Sequence, residues 1–414
     1  MTARPRLLFV SPRFLLPVDS GGKIRTTQIL RGMKNGAFEI VLASPVPGDH
    51  AKYAAELATL CDRFVAWPEV ARGRMFNVGR LRHAFSTLPI PMATEISAAA
   101  NAAIDHELAA RPDVALFDFV HAAVWAPASI PMPSVLFTHN VEAEIFARHA
   151  QVSADPLRRA LWRSQHRKMR QFEQQTLRRF DTVIAVSARD AGQFRDHYGV
   201  GSDNRIATIG TGVDLEFLSY SPPAAEPHVI FSGSMDWMAN IDAIEFFIDS
   251  VWSKVAVAMP HTRMTVVGRA PPKHLVERAQ ARFSNWTFTG YVDDIRPHIR
   301  SAAVYVIPLR VGGGTRLKVF EAMALGCPVV STAIGVEGLP LQHGSHYLRA
   351  DEAGDMAQTV VRLLGDAAAR ESLSTAARAY VEENFSFRTI ARDFERICLD
   401  TLQDFQKNPR RVSA

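Results

Sequence analysis

The stretch Val311–Thr332, VGGGTRLKVFEAMALGCPVVST, decides how the rest of the chain is read. It begins as a glycine-rich loop (Gly312, Gly313, Gly314) and predicts a short helix, a stop at Gly326-Cys327-Pro328 and a buried strand. Thr315 can cap the helix, because its hydroxyl accepts from an orphan backbone N–H of the first turn. Glycines let a backbone approach a ligand closely, and a helix start offers unpaired amides at a positive dipole end. Arg316 and Lys318 add two cations in that turn, and Glu321 falls on the same helix face as Lys318. Amides and cations suit a diphosphate, and a carboxylate one turn deeper suits paired ribose hydroxyls. The constellation is half of a sugar-nucleotide site.

Working outward, short apolar runs alternate with helical segments on both sides. RLLFVS (Arg6–Ser11), FEIVLAS (Phe38–Ser44), DVALFD (Asp113–Asp118), SVLFT (Ser134–Thr138) and DTVIAVS (Asp181–Ser187) read as buried parallel strands of one half. After the Pro-rich stretch SYSPPAAEP (Ser219–Pro227) the rhythm restarts, with strands at 228–232, 263–267, 286–289 and 304–308. Strands alternating with helices predict an α/β fold of two doubly wound Rossmann-like domains facing across a cleft. The expected boundaries are 1–220 for the first domain and 227–385 for the second, with a helix over 386–407 folding back to the first.

Composition agrees with this. The chain has 414 residues, 47% hydrophobic and 21% charged, which is ordinary for globular domains and too long for one core. Cys61, Cys327 and Cys398 are odd in number and widely spaced, which fits buried thiols of a reducing compartment and neither a disulfide framework nor a metal site. The start, MTARPRLLFVS, predicts no signal peptide, and no apolar run approaches the roughly 18 residues that span a bilayer. The expectation is a cytoplasmic protein.

The net charge of +5 is unevenly spread. Between Arg158 and Arg179, Arg158, Arg159, Arg163, Arg167, Lys168, Arg170, Arg178 and Arg179 face a single acid, Glu173. Leu157, Leu161, Met169, Phe172 and Phe180 approximate a helical stripe, so this segment predicts an amphipathic helix with a basic face and those five residues on the core face. Such a helix can rest on an anionic membrane surface. The stretch Pro68–Pro91, where Arg72, Arg74, Arg80, Arg82 and His83 interleave with Met75, Phe76, Leu81 and Phe85, suits either a lipid contact or plain packing. No aromatic or motif pattern accompanies the charge, which argues against nucleic acid.

Two further places attract chemistry. Gly21-Gly22 follows the first strand and opens a helix carrying Lys23 and Arg25, an anion-binding arrangement that is not a dinucleotide G-x-G-x-x-G. His139 follows a buried strand at its carboxyl end, in His139-Asn140-Val141-Glu142, where open α/β sheets place ligands.

These features resemble the GT-B glycosyltransferases, specifically the GT4-like glycosyl transferase group 1 family. The resemblance covers nearly the whole chain. It rests on GGGTRLKVFEAMALGCPVVST, TGYVDD (Thr289–Asp294), Gly212-Val213-Asp214, GSMDWMANIDAIEFF (Gly233–Phe247), Asp19-Ser20-Gly21-Gly22 and His139-Asn140-Val141-Glu142. It implies sugar transfer from a nucleotide-diphosphate donor, with retention and without a metal or other cofactor. It also places Glu321 at the ribose, Thr289–Val292 (with Tyr291 and Val292) at the base, His139 by the transferring sugar and Gly21-Gly22 over the diphosphate. Two departures matter. The family's E-x7-E pair calls for a glutamate where Gly313 stands, and its usual Arg and Lys in the second domain fall on Ser234 and Ala239, with Asn240 next along. Diphosphate charge then falls to Arg316 and Lys318, with Arg269 and Arg25 as further candidates, because unpaired buried charge costs several kcal/mol.

The expected site is therefore His139, Arg316 and Lys318 for catalysis. Gly21, Gly22, Arg269, Tyr291, Val292, Gly313, Gly314, Thr315 and Glu321 are expected to bind the donor. The acceptor is expected to be lipid-linked, as in exopolysaccharide or lipopolysaccharide assembly, or a small molecule. A sugar-nucleotide epimerase and a non-catalytic sugar-nucleotide-binding assembly protein are the alternatives.

Overall fold

The computed structural model describes residues 4–70, 83, 86–152, 155–201, 205–311 and 317–407. The glycine loop residues 312–316 and most of the 68–91 stretch, with the expectations made for them, lie outside these.

The chain forms two compact units, 1–210 with 390–414, and 211–389. The first holds a seven-stranded sheet in the order β3-β2-β1-β4-β5-β6-β7. Its strands are β1 (Arg6–Val10), β2 (Glu39–Val46), β3 (Arg63–Pro68), β4 (Val114–Asp118), β5 (Ser134–Phe137), β6 (Thr182–Ala185) and β7 (Arg205–Thr208). The second holds β10-β9-β8-β11-β12-β13. These are β8 (His228–Ser232), β9 (Arg263–Val267), β10 (Trp286–Phe288), β11 (Val304–Ile307), β12 (Val329–Ser331) and β13 (Leu348–Arg349). Every pairing is parallel. Central strands such as β4, β5, β8 and β11 are buried along their whole length, as apolar runs covered on both faces must be. Both orders reverse direction beside the first strand of the unit, between β1 and β4 and between β8 and β11. In doubly wound sheets that crevice at the carboxyl ends is where ligands sit.

The division falls at Gly210/Thr211, ahead of the Pro-rich stretch. Hydrogen bonds explain the placement: Val213 N donates to Phe385 O (2.8 Å), Phe387 N to Val213 O (2.9 Å) and Ser221 N to Leu325 O (3.3 Å), all within the second unit. The last helix, Phe387–Lys407, belongs to the first unit from Ile390 onward. There Phe394 is buried edge-on against Phe137 at 5.0 Å, and the Thr401 and Thr182 hydroxyls bond at 2.8 Å.

The basic helix spans Pro156–Leu177, and its core face differs from the expected stripe. Gln165, Met169, Glu173, Thr176 and Leu177 are buried, whereas Leu157 is 83% and Leu161 42% exposed. In these turns it is Trp162 that faces the helix Glu142–Val152, stacked on His149 at 4.7 Å and edge-on to Phe146 at 5.8 Å, and the leucines lie off that face.

Candidate active site

At the reversal of the first sheet the chain assembles a buried polar network. Ser11 follows β1, Asp118 ends β4, His139 follows β5, and Arg25 and Thr26 sit in the helix Gly21–Met33. The Asp118 carboxylate is fully buried. Its Oδ1 lies 2.7 Å from His139 Nε2, and its Oδ2 accepts from Thr26 Oγ1 at 3.0 Å and Ser11 Oγ at 3.4 Å. Arg25 Nη1 stands 3.1 Å from His139 Nδ1. Burial holds the His139 pKa below its ordinary value against the pull of Asp118, and lowers that of Arg25 to about 10. His121, two positions into the next helix, is pushed down to about 3 by burial.

The helix begins at Gly21 itself, so both glycines lie in its first turn. A Cβ on Gly22 would stand 2.7 Å from Phe119 Cζ. Phe119 adopts a left-handed backbone (φ 62°), uncommon for a bulky residue, and its ring stacks on His139 with centroids 3.6 Å apart. Gly22 thus has a packing role: it makes room for the ring that covers His139.

Behind His139, the helix Glu142–Val152 is capped from within. Glu173 of the basic helix is fully buried and accepts from Glu142 N (2.8 Å), Ala143 N (3.3 Å) and Tyr198 Oη (2.8 Å). Burial raises Glu173 to about 7 despite these bonds, and also raises Glu142 beside it. Next to this network a cavity of about 400 Å³ opens at the ends of β1, β2 and β3, lined among others by Arg13, Lys23, Trp67, Glu69, Glu95 and Trp125.

The second sheet ends differently. Lys318, in the helix Leu317–Ala324, donates from Nζ to Ser232 O (3.0 Å) and Asn240 Oδ1 (3.1 Å), and lies 4.5 Å above the Phe231 ring. Ser232 closes β8, so the ammonium sits at the reversal point. Asn240 is aimed by its own Nδ2, which donates to Ser234 O at 2.8 Å. Glycine is required here twice: a Cβ on Gly268 would meet Gly233 O at 1.8 Å, and one on Gly233 would meet Asn240 Nδ2 at 2.7 Å. Glu321 shares the helix face of Lys318. Its pKa is raised by burial and lowered in part by Lys318, and no hydrogen bond reaches its carboxylate among the described residues.

Arg269 follows β9, where its Nε lies 2.8 Å from Ser234 Oγ and 3.3 Å from Asp236, so it is already engaged at the surface. Tyr291 is 73% exposed on the loop after β10, with Val292 half-buried beside it. The structure thus gathers Lys318, Glu321, Asn240 and Arg269 around one sheet end, and His139 and Gly22 around the other. Gly313, Gly314, Thr315 and Arg316 lie outside the described residues. Among the described residues no cluster of His, Cys, Asp or Glu could hold a metal ion, and no helix is long and apolar enough to cross a membrane. Sequence reasoning missed Asp118 and Glu173. An acid closing a buried apolar strand was the available signal for the first; a lone acid in a basic helix gave none for the second.

Two all-parallel doubly wound sheets, with a cation at one reversal point and a His-Asp network at the other, define the GT-B glycosyltransferase architecture. Residues 20–217 match the model of Glycosyltransferase Family 4 and residues 226–366 that of Glycosyl transferases group 1; the chain belongs to this GT4-like group 1 family. It is 27% identical over 223 residues to a phosphatidyl-myo-inositol mannosyltransferase of Mycobacterium leprae, covering 52% of this chain and 58% of that protein. It is 25% identical over 238 residues to the lipopolysaccharide core biosynthesis mannosyltransferase LpsB of Rhizobium meliloti, covering 52% and 64%. The chain thus spans little more than half the length of these relatives. The structure of Anabaena Alr3699/HepE in complex with UDP and glucose shares the fold, with TM-score 0.64, 15% identity, and 96% of this chain and 100% of that one covered.

Proposed function

We propose that the chain transfers a hexosyl or related sugar from a nucleoside-diphosphate donor to a glycoconjugate acceptor, with retention at the anomeric carbon and without a divalent metal. The observation that carries this reading is Lys318, held at the reversal point of the second sheet with the Glu321 carboxylate, free of hydrogen bonds among the described residues, on its helix face. An ammonium fixed at a strand end presents preorganised positive charge, and charge of this kind stabilises a leaving diphosphate. Glu321 accepts the ribose hydroxyls. Arg316 adjoins Lys318 in sequence and adds a second cation. The nucleotide-bound HepE structure supports a uridine donor, and the two mannosyltransferases support acceptors of lipid or lipopolysaccharide type. The acceptor enters the cavity at the ends of β1, β2 and β3, and the His139 turn orients the transferring sugar.

A thermal-shift panel of UDP, GDP, dTDP and ADP sugars in EDTA tests this: one nucleotide class raises the melting temperature. No shift with any class, or a shift only with added metal, overturns it.

The first unit works at an anionic membrane, on the inner face of the cell membrane. Leu157 and Leu161 stand exposed among Arg158, Arg163 and Arg167, apolar anchors within a basic face. Sedimentation with anionic vesicles falls with salt and on neutralising Arg167, Lys168 and Arg170; salt-independent sedimentation contradicts the assignment.

A further inference from the structure

The polar network around His139 settles where its proton sits. A guanidinium has donors and no acceptor, and it keeps its charge in proteins. The 3.1 Å contact from Arg25 Nη1 therefore needs a lone pair on His139 Nδ1, which places the single ring proton on Nε2, aimed at Asp118 Oδ1 2.7 Å away. Both nitrogens are engaged inside the unit. The ring faces are covered as well, by Phe119 stacked at 3.6 Å and by Phe137 tilted at 4.4 Å. Only 4% of the residue is exposed.

The charged groups facing the ring come from every element around it. Asp118 at the end of β4 favours a cation, while Arg25 in the first helix and Arg13 in the loop after β1 oppose one. His121, in the helix after β4, is itself kept neutral by burial. Asp190, from the helix Ala188–Tyr198, faces Arg25 and sustains its charge.

We propose that Asp118 and Arg25 are positioning residues that lock His139 as the neutral Nε2–H tautomer across the working pH range. The ring then exchanges no proton during turnover, and it serves to tie the Gly21-Gly22 turn to the turn after β5. Asp118 fixes the ring by accepting its proton while its second oxygen holds Thr26 of the same helix. Arg25 denies Nδ1 a proton. The kinetic consequence rests on the sugar transfer proposed above; the tautomer does not.

Long-range proton–nitrogen NMR spectra of the full chain labelled with 15N-histidine test it, with H139Q identifying the signals. His139 is expected to show one protonated nitrogen, Nε2, and one unprotonated, Nδ1, unmoved between pH 5.5 and 8.5. A proton on Nδ1, or convergence of both nitrogens on imidazolium shifts toward pH 5.5, overturns the lock. In R25M the Nδ1 lone pair is released, so the same signals titrate within that window and the kcat/KM profile gains an acid limb. The NMR readout needs no sugar nucleotide, so the tautomer is decided independently of the proposed transfer. Should R25M fail to fold, D118N keeps an acceptor for Nε2–H and removes the charge, and its His139 signals still report the tautomer. A wild-type lock with R25M signals as pH-independent as wild type would remove Arg25 from the mechanism.

Discussion

At the reversal point of the first sheet a carboxylate, Asp118, sits at the centre and donors converge on it from Ser11, Thr26 and His139. At the equivalent point of the second sheet the centre is an ammonium, Lys318, and acceptors converge on it from Ser232 and Asn240. The first network is fully buried, and its anion is matched by Arg25 close by. The second holds its cation on the carbonyl oxygens of Ser232 and Asn240 and places beside it the Glu321 carboxylate, which no hydrogen bond reaches among the described residues. A buried charge tied on every side favours rigidity. On the function proposed above, the same topology serves as a brace in one unit and as a receptor in the other.

Removing the central charge of the receptor is the sharpest way to break this contrast. Lys318→Ala is expected to lower kcat by 10²- to 10³-fold, about 3–4 kcal/mol, the scale seen on deleting one preorganised donor to developing charge. It should also abolish the melting shift given by the sugar nucleotide. Asn240→Ala leaves the ammonium present but unaimed, so it is expected to cost less than Lys318→Ala in both readouts. Steady-state kinetics with the nucleotide identified by the panel decide the matter; unchanged turnover in K318A would place the diphosphate elsewhere.

Much of this was legible in the chain. Apolar runs such as VALFD and HVIFS mark strands because a parallel sheet covered on both faces needs no alternation, and the structure returns them as β4 and β8. Lys318 and Glu321 were readable together because a helix of 3.6 residues per turn puts positions three apart on one face. What sequence could not give is pairing across long separations. Arg25 and His139 lie 114 positions apart, Lys318 and Ser232 86 apart, and only the strand order brings them together. Asn240 illustrates the point: in the sequence it only follows Ala239, where the family pattern calls for a lysine, yet in three dimensions it receives the ammonium of Lys318. The exposed Leu157 and Leu161 fail the period argument for a similar reason, since periodicity reports a face and not whether anything covers it.

The brace makes a second demand, on pH. Glu173 caps the helix that follows the His139 turn, and burial raises its pKa from the ordinary 4.5 to about 7. A raised acid means that the folded chain binds the proton more tightly than the unfolded chain. Stability is therefore fully present below about pH 4.5, declines as pH rises between the two values and levels off above about 7. The full swing is about 3 kcal/mol at 1.36 kcal/mol per unit. Glu142, buried beside it with its own pKa raised, adds a slope of the same sign. Glu173→Gln removes the titration and keeps one oxygen, which can accept from the Glu142 amide while the side-chain NH2 donates to the Tyr198 hydroxyl; the bond from the Ala143 amide is given up. The variant is expected to melt closer to wild type, or above it, at pH 8 than at pH 5. Its melting temperature should fall less between those values than that of wild type. Equal slopes in the two proteins would mean that Glu173 stays ionised in the fold, and that three donors suffice to hold a buried carboxylate charged.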